Sequence, residues 1–184
     1  MSEIKAIETR YKGYRFRSRL EARWAIAFDQ MGLPWEYEPE GYALPGGNYL
    51  PDFRLPFGFV EIKAKGMRTE RSDLLVCELY SLTGTPAFII DGDPYPEAYH
   101  MDQAVGVSGH WTPGAVASLH CCEFRSCRRC DGICIAGTDD FFFVTDVGAH
   151  SCKDHDRYPV EVAGKLLTSF VAARSARFEH GERP

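Results

Sequence analysis

The sequence predicts an α/β fold with the element order α-β-β-β-α-β, followed by a small cysteine-rich segment and a terminal helix. Three observations predict it. Apolar residues recur at helical period over 18–31, aromatic and β-branched runs broken by Gly and Pro fill 35–65, and helical period returns over 70–83 before the compact run PAFIID at 86–91. The 184 residues suffice for one well-buried core plus an appendage, and a composition of 45% hydrophobic and 26% charged residues suits a folded globular chain.

In the first helix, Leu20, Trp24, Ala27, Phe28 and Met31 form one stripe, and Gly32 with Pro34 stops it. Ser18-x-x-Glu21 has the spacing of a capping box at its start. Three short antiparallel strands are then expected at about 35–44, 48–55 and 58–65, with Gly46-Gly47 and Gly58 at the turns. Leu74, Leu75, Leu79 and Leu82 carry the second helix, and 86–91 reads as a buried strand. Beyond Gly92 the pattern weakens: 92–120 is rich in Gly, Pro and His, 121–155 holds six of the seven cysteines, and 160–178 is an Ala-rich helical stretch. The expected division is a core at 1–95, an irregular cysteine-bearing segment at 96–158, and a helix and tail at 159–184.

No apolar run reaches the roughly 18 residues that a membrane helix needs, and MSEIKAIETRYK is too charged for a signal peptide. A cytoplasmic protein without membrane contact is therefore expected. Seven cysteines, an odd number and mostly clustered, favour metal ligation or thiols over a disulfide framework. The formal net charge of −5 provides no global positive field for nucleic acid. Residues 10–23 nevertheless carry Arg10, Lys12, Arg15, Arg17, Arg19 and Arg23 against the single acid Glu21, interleaved with Tyr11, Tyr14 and Phe16. Such a stretch suits a nucleic-acid backbone, with Arg15, Arg17 and Arg19 as the expected contacts; the plain alternative is a solvated arm.

The chemistry-bearing residues sit on the expected hairpin. Glu61 and Lys63 are two apart and share one face of the third strand, while Val60 and Ile62 face the other way. Asp52 enters the second strand directly after Pro51, on the face of Leu50 and Arg54. If register brings them together, two carboxylates can bind a hard divalent cation, Mg²⁺ or Mn²⁺, which polarises a phosphodiester and acidifies the attacking water. Lys63 would orient that water or offset charge growing on the phosphorus oxygens. Lys65 shares this face and is a candidate phosphate contact; Glu36, Glu38 and Glu40 alternate on the first strand, where one could approach the metal. Cross-strand ion pairs on a solvated hairpin are the competing explanation.

Pro51-Asp52, eight intervening residues and Glu61-Ile62-Lys63 resemble the PD-(D/E)xK nuclease motif, and the α-β-β-β-α-β order is similar to that superfamily's restriction-endonuclease-like core. The resemblance covers about residues 14–91. It implies a Mg²⁺-dependent endonuclease or exonuclease acting on DNA, with Asp52 and Glu61 as metal ligands and Lys63 as catalytic lysine. It also gives Glu21 an assisting role, since many members carry a glutamate on the helix before the sheet. Similarity to phage and mobile-element nucleases implies a bacterial or phage-encoded protein, a homodimer, or a partner protein in recombination or defence. The rival is a catalytically silent nuclease fold that serves as a nucleic-acid-binding or assembly module.

Cys127-Arg-Arg-Cys130 has zinc-knuckle spacing, and Cys152-Lys-Asp-His155 could supply the second pair of a structural Zn²⁺ ribbon. His120, Cys121, Cys122, Cys134 and His150 are alternative ligands nearby. Arg125, Arg128 and Arg129 would let this ribbon help hold substrate. Cys77, alone on the second helix, reads as a small hydrophobe.

Overall fold

A computed structural model describes residues 7–95, 99–106, 117–126, 132–137, 144–146 and 164–178. The chain opens with a hairpin, β1 (Thr9–Tyr11) and β2 (Tyr14–Phe16), turned at Lys12 and Gly13, both with positive φ. Helix α1 (Arg19–Met31) follows, capped by the Ser18 hydroxyl and closed by Gly32 in the left-handed conformation. Helix α2 (Glu70–Thr83) starts on a Thr69/Ser72 capping box and ends on Gly84 in the same way. Helix α1 therefore begins and ends at the Ser18 and Gly32 signals present in the sequence.

The strands between the helices are shorter than expected. The stretch anticipated at 35–44 is divided into β3 (Glu36–Tyr37) and β4 (Tyr42–Leu44), and the one at 48–55 into β5 (Gly47–Tyr49) and β6 (Phe53–Leu55). Glu38 has φ 47, a left-handed conformation that ends the first run. Pro51 then separates β5 from β6, consistent with its missing N–H. Among the described residues, strands β4 and β5 pair only with each other, as a separate hairpin.

The remaining strands, β7 (Gly58–Lys63), β8 (Ala87–Gly92), β9 (Tyr99–Gly106), β10 (Ala117–Ser126), β11 (Ile133–Gly137) and β12 (Val144–Asp146), join β3 and β6 in one sheet, ordered β12-β11-β10-β9-β8-β7-β6-β3. Among the described residues every neighbouring pair is antiparallel except β7 with β8, which α2 connects as a crossover. The irregular structure expected after residue 96 does not hold for β9 and β10. They extend the main sheet because Met101, Ala104, Cys122 and Phe124 supply buried apolar positions.

Period-2 alternation gives the sheet two different faces. Val60, Ile62, Phe88 and Ile90 pack with Trp24 and Phe28 of α1 and with Phe170 of α3 (Gly164–Ser175). Phe59, Ala87, Ile89 and Ala104 pack with Leu75, Val76 and Leu79 of α2. Burying each large apolar side chain contributes roughly 1.5–3 kcal/mol, so these two layers hold the sheet between helices. Gly58 fixes the start of the parallel pair. Its φ is 144, and an added Cβ would lie 2.1 Å from the Pro86 carbonyl oxygen, which accepts the Phe59 N–H at 2.9 Å.

Candidate active site

Three acids and a lysine gather on one side of the β6–β7 ribbon. Asp52 immediately precedes β6 and is 3% exposed, Glu61 in mid-β7 is 6% exposed, and Glu21 in the first turn of α1 is 7% exposed. With Lys63, Arg17 and Tyr49 they line a cleft of about 710 Å³, whose opposite wall is the start of α2: Thr69, Arg71, Ser72 and Leu75. The structure thus brings Glu21, Asp52, Glu61 and Lys63 to a single cavity.

Each carboxylate is held by specific donors. Asp52 Oδ2 accepts the Ile62 N–H at 2.7 Å, and Oδ1 accepts from the Arg17 guanidinium at 2.6 Å. Glu61 Oε2 accepts the Tyr49 hydroxyl at 2.9 Å, while its Oε1 accepts from the Lys63 ammonium. Glu21 is the most fully engaged: Oε1 accepts the Ser18 hydroxyl at 2.7 Å, and Oε2 accepts the Tyr37 hydroxyl at 2.6 Å and the Arg17 N–H at 3.1 Å. Its helix-capping and anchoring bonds are visible directly.

Burial, reinforced by the neighbouring Glu61 and Glu21, pushes the Asp52 carboxyl well above the ordinary carboxylate range; the Ile62 N–H and Arg17 oppose this without cancelling it. Burial works against the Arg17 charge, yet Asp52 and Glu38 outweigh it and hold the guanidinium more firmly protonated than usual. Burial and then Glu61 raise the Tyr49 hydroxyl well above its ordinary value, so it stays a donor. The excess of buried negative charge is the chief electrostatic feature of the cleft. Oxygen donors in that arrangement fit a hard divalent cation, because a cation offsets the burial and the like-charge repulsion that together raise Asp52.

Other expected contacts lie elsewhere. Arg15 pairs with Glu8 on the exposed hairpin, and Arg17 pairs with Asp52 and Glu38 at the cleft while its side chain stays 56% exposed. Arg19 opens α1. Lys65 is not on β7, which ends at Lys63. It occupies the exposed turn that closes with the Met67 N–H on the Ala64 carbonyl. None of Glu36, Glu38 and Glu40 lines the cleft: Glu36 and Glu40 border a different depression with Arg54 and Thr85, and Glu38 binds Arg17. The left-handed turn at Glu38 breaks the alternation that would have aligned them.

The expected zinc ligands Cys127, Cys130, Cys152 and His155, with Arg128, Arg129 and His150, lie outside the described residues. Cys77 is half-buried against the α2 layer, where burial raises its thiol to about 11. Reading the sequence for acids and cations misses Tyr37 and Tyr49, which orient Glu21 and Glu61, and Arg71, the exposed cation on the α2 wall. The WEYEPE and GNYLPD segments offer one signal, tyrosines interleaved with acids and proline beside the motif.

No family model matches the chain, and no curated protein or solved structure does. Function therefore has to come from the chemistry of the cleft itself. No helix among the described residues is long and apolar enough to cross a membrane.

Proposed function

We propose that the protein is a metal-dependent nuclease that hydrolyses phosphodiester bonds of DNA at this cleft. The observation that carries the reading is the convergence of two buried carboxylates, Asp52 and Glu61, beside Lys63 in one solvent-accessible cavity. Helix α1, the antiparallel β3-β6-β7 ribbon, and β8 parallel to β7 after α2 support a restriction-endonuclease-like core.

Asp52 and Glu61 would hold Mg²⁺ or Mn²⁺. When bound, such a cation supplies polarisation of the phosphodiester and a water acidic enough to attack near neutral pH. The protein's own groups do the rest. Lys63 carries a positive charge at the cavity, where it can meet charge developing on non-bridging phosphate oxygens. The start of α2 lines the same space with Thr69, Arg71 and Ser72, and the positive end of the helix dipole there favours phosphate. Arg71 adds an exposed cation on that wall. Glu21 acts as a positioning residue, linking α1 through Tyr37 and Arg17 to the Asp52 side of the cleft. Tyr49 holds Glu61 in its rotamer by donating to Oε2.

The test is cleavage of linear, nicked, branched and single-stranded DNA, with RNA as a comparison, in Mg²⁺ or Mn²⁺. Wild type is expected to cut at least one DNA substrate, and Lys63→Ala to lower the rate by at least about 100-fold. Failure of wild type on every substrate, or equal rates for the variant, would leave the silent nucleic-acid-binding or assembly module as the correct reading.

A further inference from the structure

A second cluster lies two strands away from the cleft, on the same face of the sheet. His100 and Asp102 are two apart on β9, and Cys121 of β10 is the register partner of Asp102. One imidazole nitrogen, one carboxylate oxygen and one sulfur from these residues all lie within 4.8 Å of one another. Individual separations are 3.3 Å from His100 Nε2 to Asp102 Oδ1 and 3.9 Å from Cys121 Sγ to His100 Nδ1. We propose that His100, Asp102 and Cys121 form a binding site for a zinc-class divalent cation, separate from the Asp52 cleft and built without Cys127 or Cys130.

The donor set decides the cation class. Sulfur, nitrogen and oxygen together suit a borderline-soft ion, whereas Mg²⁺ prefers oxygen donors throughout. Tetrahedral zinc, with bonds of about 2.3 Å to sulfur and about 2.0–2.1 Å to nitrogen, separates those two donors by about 3.5 Å. The 3.9 Å between Sγ and Nδ1 is close to this, and because Asp102 Oδ1 lies beside the opposite nitrogen, Nε2, the exposed imidazole must turn to bring one nitrogen to both donors, which lie within 4.8 Å. Three protein ligands leave a fourth position for water. The His100 side chain is 53% exposed, so the ion has a path from solvent.

One further feature belongs to such a site. Asp102 is buried, and its other oxygen, Oδ2, is fixed by Arg68, which also binds Asp73 of α2 at 2.6 Å; the carboxylate is thereby oriented with Oδ1 toward His100.

The test titrates the full-length, metal-stripped protein with Co²⁺, following the thiolate-to-cobalt charge-transfer band, and displaces it with Zn²⁺. Cys121→Ser and His100→Ala are each expected to lose one equivalent of cobalt, with affinity at that site lowered at least 100-fold by removal of a ligand. The double variant Cys127→Ser/Cys130→Ser should retain the equivalent. Undiminished binding in Cys121→Ser and His100→Ala, loss confined to the double variant, or no cobalt bound at all would each overturn the proposal. Because His100 is largely solvent-exposed, His100→Ala should fold normally, as circular dichroism will verify. DNA cleavage plays no part in the readout, so failure here leaves the nuclease reading untouched.

Discussion

Strand β7 divides the molecule into two unlike halves. Toward α1 it presents Val60 and Ile62 to a layer of aromatic rings that includes Phe28, Phe53 and Trp24. Toward α2 it presents Glu61 and Lys63, and the row continues across the sheet through Asp91, His100, Asp102 and Cys121. Apolar burial supplies cohesion on the first face, and the second spends part of it on keeping charged groups out of water. The polar face is tolerable because each buried acid in the cleft is met by a donor from a different element: Ile62 and Arg17 for Asp52, Tyr49 for Glu61, Ser18 and Tyr37 for Glu21. The two faces should therefore respond differently to the same perturbation.

The largest difference is expected in stability. Phe28→Ala should destabilise the fold by about 3–5 kcal/mol, since it opens a cavity in the ring layer. Glu61→Gln, which removes one of several repelling carboxylates, should fall well below that in the same urea unfolding series. Comparable losses would abolish the distinction between the faces.

Next in size is the response to metal. At a free Mg²⁺ or Mn²⁺ concentration about 100 times the dissociation constant, wild type should gain about 2.7 kcal/mol, read as a rise in Tm. Asp52→Asn should gain far less. An equal gain would place the cation elsewhere.

A pH series sharpens the comparison further. In the unfolded chain Asp52 loses its proton near the ordinary carboxylate value of about 3.9, whereas the folded chain keeps that proton to higher pH. Folding thus binds a proton in that window, and stability should fall as pH rises from about 4 through the raised folded value, by up to about 1.4 kcal/mol per pH unit. Asp52→Asn should remove that part of the slope. Urea midpoints at successive pH values measure it.

The smallest expected effect is at the edge between the faces. Ser18→Ala removes the cap of α1 and the Oε1 anchor of Glu21, costing about 1 kcal/mol. Thermal unfolding of the variant beside wild type is the measurement.

The helices were readable in the sequence because their signals are local. Ser18 and Gly32 terminate α1 through bonds to residues a few positions away, and the second helix shows in its apolar period. The alternation placing Glu61 and Lys63 opposite Val60 and Ile62 is equally local and appears on β7. What the pattern did not disclose depends on pairing across distance. The pairing of Arg17 with Asp52, 35 positions later, has no local signal. The continuation of the sheet into β9 and β10 is hidden by polar residues such as His100, Asp102 and Cys121, which occupy alternate positions and dilute the apolar signal. The two tyrosine hydroxyls that hold Glu21 and Glu61 likewise have no sequence signature beyond proximity to acids.

Gly58 gives the cleft an unusual dependence. The hydrogen atom in place of a methyl there lets the backbone of β7 sit directly on the Pro86 carbonyl, and from that point the ladder runs Phe59 with Ala87 through Lys63 with Asp91. A one-residue slip at its origin would exchange every inward and outward side chain along the strand. The acid and the lysine would trade places with valine and isoleucine, so the chemistry of the cavity is indexed from an atom that is not there.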